Sequence, residues 1–310
     1  MTLKILLAGR NGQVGMELAT ALPGIGEVAA VDREQFDLTN PAKMREVIRE
    51  VHPQLIVNAA AYTAVDLAEK EESLARSINA DAPGLMAEEA KKIGAALVHY
   101  STDYVFDGSK NVPYEEPDRV NPLNVYGRTK LAGEEAIRSS GVPHLIFRTQ
   151  WVYGIRGRNF LLTILRLATQ REELRIVSDQ FGAPTSSQAI ARATTNILRR
   201  LFHHEDHASS LGRVSGTYHM TAAGQATWHE FANAIIDDVS RLQPTGSWFF
   251  DATLAKPLLA RRVVAIATKD YPTPARRPAY SVLSNRRLSE TFGAKLPEWQ
   301  AQLRTVLTSY

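Results

Sequence analysis

Short apolar runs alternate with amphipathic stretches through the first half of the chain. Residues 4–8, 27–31, 54–58, 95–100 and 144–148 read as strands. Between them, residues 12–21, 42–51, 73–93 and 126–139 carry helical periodicity. Pro41 behind Asn40 marks a helix start with its cap in place. Strands and helices joined by short connections predict an α/β fold, a doubly wound parallel sheet of the Rossmann type.

Beyond Arg148 the pattern loosens. It predicts helices over 159–169, 187–201 and 228–242, strands over 174–177 and 217–220, and a polar surface loop over 203–212. Residues 265–278 are punctuated by prolines and read as irregular, with two short helices after them. The expected organisation is a dinucleotide-binding domain over 1–155, to which roughly 176–221 returns. A smaller substrate-binding domain is expected from 156–175 and 222–310.

Gly9-Arg10-Asn11-Gly12-Gln13-Val14-Gly15 lies between the first strand and the first helix. Glycines there permit a tight turn and a close approach to a pyrophosphate, and the helix start supplies free N–H groups. Asp32 closes the second strand about twenty residues on, where a carboxylate can bind a ribose diol, as NAD requires. Arg33 beside it can bind a 2′-phosphate, so NADP stays open, and Asp37-Leu38 can flank the adenine. Asn58-Ala59-Ala60-Ala61-Tyr62-Thr63 ends the third strand with small residues that let backbone approach a cofactor. Tight packing is the alternative reading of those alanines.

Tyr126 and Lys130 stand one helical turn apart, downstream of Thr102. A phenol has an ordinary pKa of about 10, and an ammonium one turn away lowers it. Such a pair can protonate a carbonyl oxygen while a hydride reaches the carbon, with Thr102 holding that oxygen. The spacing arises by chance in many helices, and the glycine turn upstream gives it weight.

The 310-residue chain is 44% hydrophobic and 22% charged, with a formal net charge of +3. The positive excess is dispersed in doublets such as Arg261-Arg262, Arg276-Arg277 and Arg286-Arg287. That argues against a nucleic-acid partner and suits an anionic small molecule. No run approaches the ~18 apolar residues of a transmembrane helix, so no membrane partner is expected. The apolar N-terminus runs into a glycine turn instead of a cleavage site, and the expected location is cytoplasmic. Cysteine is absent, which removes disulfides, thiolate nucleophiles and cysteine metal sites. His203, His204 and His207 sit with Glu205 and Asp206 in the polar stretch and read as a solvated loop. Trp228 and Trp248 read as core or domain-interface residues, whereas Trp151 follows a strand whose end faces the cleft.

Together these segments resemble the extended short-chain dehydrogenase/reductase family and, within it, the dTDP-4-dehydrorhamnose reductases. The resemblance runs from about residue 3 to residue 300. It rests on Asn58-Ala-Ala-Ala-Tyr-Thr-Ala-Val-Asp66, His99-Tyr-Ser-Thr-Asp-Tyr-Val-Phe-Asp107, Pro122-Leu-Asn-Val-Tyr-Gly-Arg-Thr-Lys-Leu-Ala-Gly-Glu134 and Arg148-Thr-Gln-Trp-Val-Tyr153. Asp179-Gln-Phe-Gly-Ala-Pro-Thr185 and Tyr271-Pro-Thr-Pro-Ala-Arg-Arg-Pro278 extend it. It implies reduction, with NADH or NADPH, of the 4-keto group of a dTDP-linked deoxysugar, dTDP-4-dehydro-6-deoxy-L-mannose. The product would be dTDP-L-rhamnose, used for cell-surface rhamnose polymers. The resemblance makes Tyr126 the proton donor, Lys130 its modulator and ribose anchor, and Thr102 the holder of the substrate oxygen. Gly12, Gln13, Val14, Asp32, Asp37, Leu38, Ala61, Tyr62 and Thr63 would line the cofactor. Asp103 and Trp151 would contact the sugar nucleotide. Arg277 can pair with the diphosphate, with a plain surface arginine as the alternative.

Related activities fit less well. A sugar-nucleotide dehydratase needs a glutamate where Tyr104 stands, and an epimerase-reductase of the GDP-fucose type needs a cysteine. A non-catalytic regulatory subunit, such as the methionine adenosyltransferase β-subunit, is a further alternative, although Thr102, Tyr126 and Lys130 are intact. The family is also associated with a carboxylate-bound magnesium at a dimer interface. Glu17 fits one ligand position, but Gln188 and Gln300 stand at the other two. Neutral amides weaken a magnesium site, so a monomer or weak homodimer without bridging metal is expected.

Overall fold

Strand β1 (Lys4–Ala8) alternates its side chains between two apolar layers. Ile5 and Leu7 join one core cluster, Leu6 and Ala8 the other. The same alternation runs through β3 (Leu55–Asn58), β4 (Ala96–Thr102) and β5 (His144–Thr149). These strands read as continuous apolar runs because both faces of the sheet are covered. In this computed structural model, which describes residues 3–202 and 207–309, the strands pair in parallel with β2 (Glu27–Val31) and Gly216–His219. The six-stranded order is β2-β1-β3-β4-β5 and then Gly216–His219. The order turns back between β1 and β3, which opens a crevice at the carboxyl ends of the strands.

One face is covered by α1 (Gln13–Ala21) and the helix Ser187–Leu201, through Leu18, Ile190, Ile197 and Leu198. The other is covered by α2 (Pro41–Val51), Ala82–Lys92 and Val125–Ser140, through Met44, Ile48, Met86, Ala90 and Ile137. A separate core gathers Tyr153, Leu161, Leu165, Phe231, Ile235, Trp248, Trp299 and Leu303 into a second lobe. Leu288, Phe292 and Leu296, which lie within the stretch 222–310, pack in the main-sheet core instead. Among the described residues no helix is long and apolar enough to cross a membrane.

Several local expectations are corrected. The helix expected over 73–93 is Glu72–Arg76, a π-turn at Ser77–Asp81, and then Ala82–Lys92. Arg262–Ile266, which only overlaps the start of the stretch expected to be irregular, forms a parallel strand with Glu173–Val177. Its pairing partner lies far away in sequence, so no local pattern announces it. Ser247–Thr253 forms a helix that the pattern did not indicate. His203, His204, Glu205 and Asp206 lie outside the described residues, and His207–Gly212 is helical where a loop was expected.

The helix Val125–Ser140 is fixed to β5 by a buried ion pair. Glu134 receives Arg148 at both carboxylate oxygens, at 2.9 and 2.7 Å, with Ser101 at 2.6 Å and Arg138 at 3.0 Å. Burial raises the Glu134 pKa, but Arg148, Ser101 and Arg138 outweigh it and hold the group below its ordinary value. Removing one partner of such a pair leaves a buried charge uncompensated. Glu134→Gln should therefore cost about 3–5 kcal/mol of stability at neutral pH. Because the folded pKa is lowered, the contribution is full above the unfolded value and fades as pH falls through the folded one. Urea denaturation of both proteins across acidic pH would read a shrinking difference.

Candidate active site

The polar groups converge at the carboxyl ends of β1, β3 and β4. Helix α1 starts immediately after the turn that follows β1, and its N-cap Gly12 offers no side-chain cap. The first N–H groups of α1 are thus available to an anion, helped by the helix dipole. The turn tolerates no bulk at Gly15, where a Cβ would lie 2.0 Å from the Gly9 carbonyl oxygen. Val14 packs against the sheet core, while Gln13 accepts from Asn159 at 2.9 Å. Asp32 stands after β2, its Oδ1 accepting from the Glu34 and Gln35 N–H groups at 3.1 and 3.2 Å, beside exposed Arg33. Asp37 accepts from the Thr39 N–H and hydroxyl, both at 2.9 Å, and the N–H bond leads in holding its pKa low. Leu38 is buried with Val31, Phe36 and Met44.

Ala61, Tyr62 and Thr63 follow β3. The Tyr62 N–H donates to Asn79 Oδ1 at 2.9 Å, and Asn79 Nδ2 donates back to the Tyr62 carbonyl at 3.0 Å. Asn79 sits in the π-turn, a distortion that recurs at functional sites. The Tyr62 hydroxyl donates to Glu71 at 2.6 Å, and burial leads in pushing its pKa up to about 12. An uncapped helix start, a turn with glycine at positions 9, 12 and 15 and a carboxylate after β2 fit a nicotinamide dinucleotide.

Thr102 ends β4 and Tyr126 opens the neighbouring helix, whose N-cap Asn124 accepts from the Gly127 N–H at 2.8 Å. Asn124 also donates to the Arg276 carbonyl at 2.8 Å, tying the helix start to the segment 271–278. The Thr102 hydroxyl donates to Asp103 at 3.1 Å and stands close enough to the Tyr126 phenol to favour its ionised form. Burial pushes Tyr126 up to about 12, with Thr102 opposing and the Asp103 charge adding to the rise. Lys130 is 1% exposed, and burial lowers its pKa to about 8 against the pull of Glu134. Its Nζ lies 3.1 Å from His99 Nε2 and donates to the Tyr100 carbonyl at 2.6 Å. His99 and the Tyr100 carbonyl are thus the partners of Nζ inside the sheet.

Asp103 is turned into the protein, 1% exposed, and accepts from Gln150 at 3.3 Å; burial pushes it up to about 6. Its carboxylate reaches the cleft through Thr102. Trp151 has a left-handed backbone (φ 46°) and stacks on Trp228 at 3.5 Å. Trp228 packs against the second-lobe core, with Phe160 at 4.6 Å, and Trp248 lies within that core, as expected of both. The Arg277 guanidinium is forked on Asp66, at 2.8 and 3.1 Å, so Asp66 occupies the fork expected for a diphosphate. Tyr104 packs edge-on against Tyr126 at 5.6 Å. Glu17 is half-buried, with its pKa raised by burial against Arg156, and Gln188 and Gln300 are exposed. Among the described residues no group of three His, Asp or Glu side chains is placed to hold a metal ion. Asn58, Asn79, His99 and Asp66 were not singled out from sequence as site residues, and Tyr104 only as the residue standing where a dehydratase needs a glutamate. Asn58, His99, Tyr104 and Asp66 sit inside quoted motifs, which was the available signal.

A family model described as the RmlD substrate binding domain matches residues 3–310. A dTDP-4-dehydrorhamnose reductase of Burkholderia thailandensis is 48% identical over 96% of this chain and 96% of its own. The chain belongs to the dTDP-4-dehydrorhamnose reductase family. Crystal structures of family members from Clostridium acetobutylicum and Bacillus anthracis superpose with TM-scores of 0.86 and 0.85, at 36% and 32% identity. They cover 98% and 99% of this chain, and the same shares of their own, and the second is a complex with NADP.

In this reductase-family chain the approach of Gly15 to Gly9 is the tightest requirement of the cofactor turn. Gly15→Ala must displace one backbone from the other and should weaken dinucleotide binding about tenfold or more, some 1.4 kcal/mol. Fluorescence titration with NADH and NADPH measures this, and affinity equal to wild type would contradict it.

Proposed function

We propose that the protein reduces the 4-keto group of dTDP-4-dehydro-6-deoxy-L-mannose to the alcohol of dTDP-L-rhamnose. The observation that carries this reading is that Thr102 at the end of β4 and Tyr126 at the start of the neighbouring helix lie side by side at the carboxyl end of the sheet, where the uncapped glycine turn also lies. NADH or NADPH supplies the hydride that the carbonyl carbon accepts. Thr102 aligns the carbonyl oxygen, and the Tyr126 phenol gives it the proton that completes the alcohol. Tyr126 is left as a phenolate and regains its proton from solvent. Lys130, as an ammonium, lowers the cost of that phenolate. Donors fixed in advance around the developing alkoxide account for much of the acceleration.

Gly9, Gly12, Gln13, Val14, Gly15, Asp32, Asp37, Leu38, Ala61, Tyr62 and Thr63 are proposed to line the dinucleotide. The Trp151–Trp228 pair is proposed as a wall for the deoxysugar, with Asp103 acting through Thr102. Arg277 organises the diphosphate end while held by Asp66. Residues 1–155 with 176–221 are read as the cofactor lobe, and 156–175 with 222–310 as the substrate lobe, apart from the stretch around Leu288–Leu296 noted above. We read the protein as a cytoplasmic monomer or weak homodimer that needs no magnesium. Tyr104 in place of a glutamate leaves no base for elimination, and the absence of cysteine removes the thiol route to epimerisation.

Tyr126→Phe should lower kcat by roughly 10²–10⁴-fold while dinucleotide affinity is kept. Turnover of the 4-keto sugar nucleotide is followed by dinucleotide oxidation, with a preference for the thymidine over the guanosine diphosphate substrate. No turnover by the wild type, or full turnover by the variant, would overturn the reading.

A further inference from the structure

Behind Tyr126 lies a buried row of polar groups whose donors and acceptors can be assigned. Asn58 and His99 are direct partners in the register of β3 and β4, and Lys130 reaches down from the helix above. All three are 1% exposed or less. Asn58 Oδ1 accepts from the Ala60 N–H at 3.1 Å, which fixes the orientation of the amide. Asn58 Nδ2 therefore faces His99 Nδ1, at 3.1 Å. An amide nitrogen has only protons to offer, so Nδ1 is the acceptor and the ring proton lies on Nε2. Nε2 faces Lys130 Nζ at 3.1 Å.

An ammonium also has only protons to offer. A charged Lys130 would set donor against donor in a place water does not reach, at the cost of an unmade buried hydrogen bond. A neutral amine satisfies every contact: its lone pair accepts from His99 Nε2–H, and one of its own hydrogens goes to the Tyr100 carbonyl. We propose that His99, oriented by Asn58, is a positioning residue that holds Lys130 as a neutral amine. Lys130 then takes up one proton from solvent when it leaves His99 to stand as an ammonium beside Tyr126.

The remaining charged groups around Lys130 are already matched. Glu134, one turn on, is taken by Arg148 of β5, Arg138 and Ser101. Asp103, after β4, is held by Thr102 and Gln150, and the Tyr126 phenol lies beside Thr102. β3 contributes only the neutral Asn58. Burial acts in the same direction on both members of the contact, lowering Lys130 and holding His99 well below its ordinary value.

This inference rests on the reading of Lys130 as the partner of Tyr126, yet its test needs no sugar substrate and no turnover. In protein labelled with ¹³C at lysine Cε, the Lys130 resonance is assigned by its loss in Lys130→Arg. Its midpoint without added dinucleotide should fall well below the ordinary value of about 10.4. Two variants reverse the bookkeeping. His99→Gln can present a carbonyl oxygen to Nζ. Asn58→Asp keeps an acceptor for the Ala60 N–H and accepts from Nδ1–H, which turns Nε2 into an acceptor. With folding checked by circular dichroism, at least one should raise the midpoint by about one unit, a tenfold change in proton affinity. Calorimetry at pH 9 in buffers of different ionisation enthalpy should read proton uptake when NADPH binds wild type, and less in that variant. A wild-type midpoint at the ordinary lysine value, or one unmoved in both variants, would overturn the proposal. Failure of the sugar-reductase assay alone would leave it standing.

Discussion

The site depends on how closely the helix Val125–Ser140 can approach the backbone on either side of it. A Cβ at Gly127 would lie 2.2 Å from the Tyr104 carbonyl oxygen, and one at Gly133 would lie 2.1 Å from the Asn79 carbonyl oxygen. The first contact presses the helix start against the turn after β4, bringing Tyr126 to Thr102. The second presses the middle of the helix against the π-turn that holds the Tyr62 backbone. Any side chain at either position would push the helix outward, separate the phenol from its hydroxyl partner, and loosen the wall expected to face the dinucleotide. The Glu134–Arg148 pair then prevents the helix from sliding along this contact.

Bringing these groups together in a dry place controls their protonation. Burial raises Tyr126 and Asp103 and lowers Lys130 and His99. In every case the neutral form gains, as desolvation requires. Glu134 goes the other way because Arg148 meets it at both oxygens and Ser101 and Arg138 add to it. Successive turns of the helix thus carry a paired, permanently charged anchor at Glu134 and, at Lys130 and Tyr126, groups whose neutral forms burial favours. A general acid has to change its protonation state during a reaction, whereas an anchor must not. The division follows from which groups have a partner of opposite charge.

The sheet and its helices were legible because a strand buried on both faces leaves a plain apolar run and a capped helix leaves a start signal. Thr102, Tyr126, Lys130 and the glycine turn were legible because their chemistry is local. What escaped depends on contacts across the fold. Asn58 and His99 become one unit only through the register of β3 with β4. Asp66 and Arg277 are 211 positions apart, and no local pattern links them. The strand Arg262–Ile266 is defined by a partner about ninety residues earlier. The π-turn Ser77–Asp81 places Asn79 against the Tyr62 backbone, a contact made across the fold.

The two lobes are joined directly at the chemistry. Gln13 of the glycine turn bonds Asn159, which also caps the helix Phe160–Ala168 of the second lobe through the Leu162 N–H. Across the crevice, Asp66 after β3 holds Arg277 and the Ala275 N–H of the segment that also receives Asn124. A displacement of the second lobe would therefore pull on the cofactor turn through one contact and on the start of the catalytic helix through the other. The geometry around Tyr126 cannot be set by the first lobe alone. A domain that only stored a dinucleotide would have no need of such ties. In a reductase, the hydride donor and the proton donor must meet one carbonyl from fixed directions, and the ties hold both to a common frame.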